Sequence, residues 1–252
     1  MIVLKTAQDL EAMKVACRIS AEAIKVAKEH LRAGVSTAYI DSQVEKFIRS
    51  QGAIPSFKGY GGFPGSACIS VNDEVIHGIP GPRIIQEGDI VSIDVGAKYK
   101  GYHGDNAATF GVGKVSPEAQ KLMDVTRECL DRAVAVAVKG NRIGDIGFAV
   151  QSHAEENGFS VVRDYIGHGV GRDLHEDPEV PNYGRQGRGI RLVPGMTIAI
   201  EPMINQGTYR VEVLDNDWTV VTADGALSAH FEYTVAITDS KPVVLTPWNE
   251  VI

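Results

Sequence analysis

An α+β fold built from two related halves is what this 252-residue sequence predicts. Three observations point there. In each half, helix-like segments precede strand-like ones, instead of alternating with them as in α/β folds. Glycines recur at a fixed interval: Gly34 with Gly140 and Gly52 with Gly158 are 106 residues apart, and Gly88 with Gly195 are 107 apart. The segments after the last pair also match, since Gly88-Asp-Ile-Val-Ser-Ile-Asp94 aligns with Gly195-Met-Thr-Ile-Ala-Ile-Glu201. The halves run over about 6–110 and 116–240. With no Pro/Gly/Ser-rich linker between them, residues 1–252 read as one domain with internal pseudo-twofold symmetry. A duplicated pair of α/β domains is the weaker alternative.

The elements follow in order. Thr6 and Asp9 form a capping-box-like start to a helix that runs to Arg32, with Leu10, Met13, Cys17, Ile24 and Leu31 near helical spacing. Gly34 ends it, and a second helix runs from about Thr37 to Ser50 before Gly52. Extended segments are expected over Ala67–Val71, Val75–His77, Ile90–Val95 and Gly104–Phe110. In the second half, Ser116 supplies an N-cap and Pro117 the first helical position of a helix reaching about Val138. A shorter helix reaches Asn157, Gly158 closes it, and further strands follow.

Composition narrows the function. The chain is 44% hydrophobic and 23% charged, an ordinary globular balance. Its 25 basic against 32 acidic residues give a net charge of −7, which argues against direct nucleic-acid binding. The apolar run Ala133–Val138 is too short to cross a bilayer, and the N-terminal residues lack a basic region followed by a long apolar stretch. Cys17, Cys68 and Cys129 are widely spaced and form no CxxC pair, a pattern suited to a reducing compartment. A soluble, cytoplasmic protein is expected.

Four carboxylates stand where buried strands should be apolar. Asp94 interrupts Ile90-Val91-Ser92-Ile93, and Glu201 interrupts Thr197-Ile198-Ala199-Ile200. The two-residue period puts each acid on the face of a small neighbour, Ser92 or Ala199, so space is left beside it. Asp105 lies among small residues in Gly104–Phe110. Glu232 shares a strand face with His230, Thr234 and Ala236. Taken singly, each acid could meet its own Arg, Lys or backbone donor. Four together, with few basic residues on the same strands, would repel one another and force at least one to stay protonated. Two divalent cations would balance their charge of −4. An oxygen-rich set with one imidazole suits Mn, Fe, Co or Zn in an open site, and such a pair supports metal-assisted hydrolysis.

Of the seven histidines, three lie in Gly/Pro-rich turns: His77, His168 and His175. His168, between two glycines, is the best ligand candidate. His77 and His175 are candidates for hydrogen bonding or proton transfer near a reacting carbonyl. His30, His103 and His153 read as structural. The sequence carries no HExxH, since Glu179 stands where the second histidine would be, and no GxSxG.

Asp94, Asp105 eleven residues on, Gly-His168-Gly-Val-Gly, Ile-Glu201-Pro-Met and Phe-Glu232-Tyr-Thr together resemble the methionine aminopeptidases of the creatinase-like, or pita-bread, metallopeptidase family. The resemblance spans nearly the whole chain. It implies a pita-bread fold, helix-helix-strand halves around a curved antiparallel sheet. It implies two divalent ions per chain: Asp94 on one, Asp105 and Glu232 bridging both, His168 and Glu201 completing the second. A water activated between the ions would attack the first peptide bond, with Glu201 as proton acceptor. His175 would stabilise the tetrahedral intermediate and His77 would contact the scissile amide. Tyr60, Phe63, Cys68, His77 and Trp218 stand where the family builds its apolar methionine slot, while Phe57 and Leu174 fall where members vary. His230, where many relatives have glutamine, shares a face with Glu232.

The implied function is removal of the initiator methionine from nascent polypeptides with small second residues, by a monomer. Compactness points to the bacterial-like type I subclass: there is no zinc-finger extension, and only 31 residues separate Glu201 from Glu232. The lack of an N-terminal domain argues against prolidase and aminopeptidase P relatives. Two alternatives stand beside this reading, an X-Pro peptidase of the same fold and a non-catalytic binding protein of the same fold. A transient ribosome contact is the weaker expectation: Arg185, Arg188 and Arg191 form a basic stretch, whereas Glu212–Asp217 is acidic.

Overall fold

A computed structural model describes residues 1–251. Four long helices carry the two halves: α1 (Ala7–His30), α2 (Thr37–Ser50), α3 (Pro117–Val136) and α4 (Ile143–Glu156). The N-terminus of α1 is closed by a reciprocal capping box between Thr6 and Asp9. Ser116 caps α3 by accepting from the Ala119 N–H at 3.1 Å. The third helix stops two residues short of the expected Val138, because the Ala137 N–H turns to the Val134 carbonyl as the chain bends toward Gly140.

The repeat is physical. Both α2 and α4 have 14 residues, and each residue of α2 finds its counterpart 106 positions later. The bridge Ser36–Ile84 ahead of the first helix recurs as Arg142–Arg191 ahead of the second. Gly88 and Gly195, the turns that launch the acid-bearing strands, have φ of +89° and +91°, a conformation that glycine adopts without a Cβ penalty.

Two main antiparallel sheets form the centre. In the first, the long strand Ile90–Tyr99 lies between Tyr102–Gly111 on one side and Ala67–Val71 with Ile54–Pro55 on the other. The second has the order Val243–Val244, Tyr233–Ala236, Thr197–Ile200, Gly167–Gly169, Glu176–Val180. They meet at Ala107 and Glu232, where the Glu232 N–H donates to the Ala107 carbonyl at 2.9 Å. Beside that bridge the Thr234 hydroxyl donates to the Asp105 carbonyl at 2.8 Å. Two three-stranded sheets complete the fold, one of them including Ser228–His230. The largest apolar core joins both halves, from Ile24 and Ile40 through Ile93 and Leu130 to Ile200 and Trp248.

Three expected strands differ in detail. The strand placed at Val75–His77 is Glu74–Ile76, and His77 leaves it with φ of +57°. Glu201 stands one residue beyond the end of Thr197–Ile200. The C-terminal strand is broken at Phe231-Glu232, because the Glu232 backbone crosses over to bond Ala107 in the other sheet. Among the described residues, no helix is long and apolar enough to cross a membrane.

Candidate metal centre and adjoining pocket

Each acid is presented by a local device. Asp94 lies in the middle of its strand, opposite Cys68 on one side and Ala107 on the other. Asp105 faces Gly96, where a Cβ would come within 2.7 Å of the Ser56 Cβ, so only glycine keeps that approach open. Glu201 follows its strand directly, and its carbonyl accepts from Asn182 Nδ2 at 2.9 Å. The Glu232 carbonyl accepts from Trp248 Nε1 at 3.0 Å. His168 is on a short strand, not in the expected turn, between two glycines that tolerate no side chain. An added Cβ would lie 2.3 Å from the Ala199 oxygen at Gly167 and 2.2 Å from the Asp177 oxygen at Gly169.

These five residues, scattered from position 94 to 232, converge. Ligand atoms of Asp105, His168 and Glu232 all lie within 4.8 Å of one another. His168 Nε2 is 3.5 Å from Glu201 Oε1 and 3.9 Å from Asp105 Oδ2. Its Nδ1 is 2.8 Å from the Gly169 carbonyl, so Nδ1 carries the proton and the Nε2 lone pair faces the acids.

No lysine or arginine answers the four carboxylates among the described residues; the basic side chains within 4 Å are the imidazoles of His168 and His230. Asp94 Oδ1, Asp105 Oδ1, Glu201 Oε1 and Glu232 Oε1 are buried with no hydrogen-bond partner. Burial pushes all four carboxyls above their ordinary range. Repulsion adds to it at Asp94, from Asp105 and Glu201, and at Glu232, from Asp105, Glu201 and Asp94. His168 is driven the other way, to about 3, first by burial and then by His175, and is therefore neutral and able to ligate. Orphaned carboxylate oxygens around one neutral imidazole fit a divalent cation site, which balances the charge of the cluster without protonating the acids.

A cavity of about 190 Å³ opens beside the acids. Its walls include Tyr60, Phe63, Cys68, His77, His175 and Trp218, the six side chains expected to bind substrate. Phe63 meets the Trp218 ring edge-on at 5.1 Å, and the His77 ring stands 6.1 Å from Trp218. His175 lies over His168 with ring centroids 4.2 Å apart, and its Nδ1 is 2.7 Å from the Tyr60 hydroxyl. Phe57 and Leu174 also line the space. His77 is lowered to about 4 by burial and by His175, and burial lowers His175 as well.

Sequence reading missed Ile76, Tyr165 and Ile166, which complete the walls. Their signal was position alone: Tyr165 and Ile166 precede Gly-His168, and Ile76 precedes His77. His230 is buried with its Nε2 unpaired, 3.8 Å from Glu201 Oε2, and it is held at about 3 by burial and by His77. Arg185 and Arg188 are not brought to this site; their carbonyls pack against Gly144 on α4.

Comparison with known proteins gives the same picture. The family model for "Metallopeptidase family M24" matches residues 11–239. A methionine aminopeptidase of Clostridium acetobutylicum is 53% identical over 98% of this chain and 99% of its own length. The crystal structure of a methionine aminopeptidase from Thermotoga maritima superposes with a TM-score of 0.96 at 44% identity, covering 98% of this chain and 99% of that one. A prolidase from Pyrococcus furiosus shares the fold less closely, with a TM-score of 0.79 and 26% identity over 97% of this chain and 65% of that one.

Proposed function

The chain belongs to metallopeptidase family M24 and is a hydrolase with methionine aminopeptidase activity, and we propose that Asp94, Asp105, His168, Glu201 and Glu232 hold two divalent ions beside a pocket for the substrate's methionine. The observation that carries this reading is the set of four buried carboxylates with orphaned oxygens around one neutral imidazole, opening onto an aromatic-walled cavity. The whole chain then works as one domain, with two ligands from the first half and three from the second.

Bound ions would supply Lewis acidity, ionising a water and polarising the first peptide carbonyl. The protein's own groups do the rest. Glu201 takes the proton of the attacking water: its buried Oε1 has no hydrogen-bond donor and lies among the proposed ligands, 3.5 Å from the His168 Nε2 lone pair. His175 and His77 are neutral at working pH, which lets them donate to the carbonyl and amide of the scissile bond without adding a cation beside the ions. The Tyr60 hydroxyl fixes the His175 ring. Phe63, Tyr60 and Trp218 offer ring edges and faces to an unbranched thioether, the side chain that bends best into an irregular aromatic slot. A dry cavity of about 150 Å³ takes one benzene-sized guest. A 190 Å³ space that is also lined by the acids therefore has room for one substrate side chain, and a preference for small second residues is the part of this reading that the peptides below test.

Nascent polypeptide N-termini are the partners this chemistry serves, in the cytoplasm, where three free and buried thiols are stable. A monomer suffices, since every proposed ligand is on one chain. Arg185, Arg188 and Arg191 are the segment we would test for a transient ribosome contact.

The test uses metal-stripped protein reloaded with Mn²⁺, Fe²⁺, Co²⁺ or Zn²⁺ and offered Met-Ala-Ser, Met-Leu-Ser and Ala-Pro peptides. Methionine release from the first should exceed that from the second at least about tenfold in kcat/KM, the scale of a few methylene groups misfitting a pocket. Hydrolysis of Ala-Pro alone would overturn the substrate reading, and inactivity with every ion would overturn the metal reading.

A further inference from the structure

We propose that Lys5 and Glu176 are positioning residues for His175: a buried ion pair that fixes the turn carrying its imidazole over the site. This rests on the reading that His175 acts on the substrate.

His175 is on the solvent-exposed side of the pocket, and the Tyr60 hydroxyl is the hydrogen-bond partner of its ring. With one hydrogen bond and the His168 ring beside it, the imidazole takes its place largely from its backbone. That backbone is organised by the next residue. Glu176 Oε1 accepts from the Arg172 N–H at 2.8 Å and the Asp173 N–H at 3.2 Å, closing the turn that leads to His175. The second carboxylate oxygen of Glu176 pairs with Lys5 Nζ. The two side chains are 8% and 3% exposed, so this is an ion pair withdrawn from water, and removing one partner leaves the other charge buried and unanswered.

Lys5 is itself held twice from outside the turn. Its Nζ donates to the Val3 carbonyl at 3.0 Å, and its backbone N–H donates to the Gly195 carbonyl at 2.7 Å. Gly195 lies two residues before Thr197–Ile200, the strand that Glu201 directly follows. The N-terminal segment thus ties the His175 turn to the strand that delivers the proton acceptor. At the other end of the turn, the His103 N–H donates to the Gly171 carbonyl at 2.8 Å. Gly171 leaves the room the pair fills: a Cβ there would lie 2.4 Å from Lys5 Cε and 2.6 Å from Glu176 Oε1.

The experiment compares Lys5→Met, Lys5→Arg, His175→Ala and the double variant Lys5→Met/His175→Ala in Mn²⁺-loaded enzyme on Met-Ala-Ser. Lys5→Met should lower kcat about 10- to 100-fold, the cost of a catalytic group displaced by about an ångström, with KM within about twofold. Lys5→Arg should recover most of that loss. The double variant should be no slower than His175→Ala alone, because a positioning residue has nothing left to position. Multiplying losses in the double variant, or parental kcat in Lys5→Met, would overturn the proposal. So would a fall in Mn²⁺ affinity by calorimetry as large as the fall in kcat, which would place the effect at the metal ligands. Parental kcat in His175→Ala would instead remove the role of His175 itself. Should Lys5→Met fail to fold, Glu176→Gln carries the same comparisons, since the amide keeps the shape and loses the charge.

Discussion

Asp105 concentrates the chemistry of the site in one residue. Its Oδ1 is buried and unpaired, its backbone is pinned to Thr234 in the opposite sheet, and burial raises its carboxyl to about 7. Without metal it is therefore about half protonated near pH 7, and an asparagine is a close copy of the protonated form. Asp105→Asn should leave the melting temperature of the metal-free protein unchanged or slightly higher. Metal affinity and turnover should both fall by at least about a hundredfold, since even residues that merely orient metal ligands cost 10- to 100-fold when lost. Calorimetric Mn²⁺ titration and peptide assays check both halves, and near-parental turnover would contradict the bridging role. The acids were legible together, because four carboxylates on strands with few basic residues would repel one another without a cation. The Lys5–Glu176 pair was not legible. Each looks like any charged residue, and 171 positions separate them.

At the scale of elements, the site depends on how closely α1 lies on the first sheet. Gly104 makes that contact: a Cβ there would come within 2.4 Å of Cys17 Cα and 2.5 Å of Cys17 N, against helix backbone that cannot give way. Ser20 reinforces it by donating to the Val95 carbonyl at 2.6 Å and accepting from Asn106 Nδ2 at 2.6 Å. Val95 and Asn106 directly follow Asp94 and Asp105, so the helix holds both acids through their neighbours. Gly104→Ala should destabilise the fold by about 1–3 kcal/mol, the range for overfilling a packed interior. It should also weaken metal binding, because Asp105 moves with its strand. Chemical denaturation and Mn²⁺ titration read the two effects, and unchanged metal affinity would show that α1 supports the fold without setting the acids. The helices were readable from periodicity, and two of their caps from Thr6 and Ser116. The break at Glu232 was not, since the alternation from Phe231 to Ile237 is that of an unbroken strand. Only the partner across the molecule, Ala107, makes the chain step aside there.

For the whole molecule, the pseudo-twofold halves contribute acids to one centre and so share one charge problem. Burial and mutual repulsion raise the folded-state values of the four carboxyls above their unfolded values near 4, so metal-free protein loses stability as pH rises from about 4 through those folded values. The histidines act in the opposite sense. Folded values of about 3 for His168 and His230, below an unfolded value near 6.5, mean that their stabilising contribution is lost as pH falls from about 6.5 toward 3. A divalent cation replaces the protons that the acids otherwise need, so its stabilisation should grow with pH. At a free concentration a thousandfold above Kd, Mn²⁺ contributes about 4 kcal/mol, or roughly 8–16 °C in Tm for a chain of this size, if binding is confined to the folded state. That increment should be larger at pH 7.5 than at pH 5, and both halves should unfold in one transition because ligands from each must separate together. Differential scanning calorimetry with Mn²⁺ and with EDTA across this range measures it. An increment independent of pH would mean that the ion binds somewhere other than the buried acids, and a transition that splits on adding metal would mean that the halves do not share it.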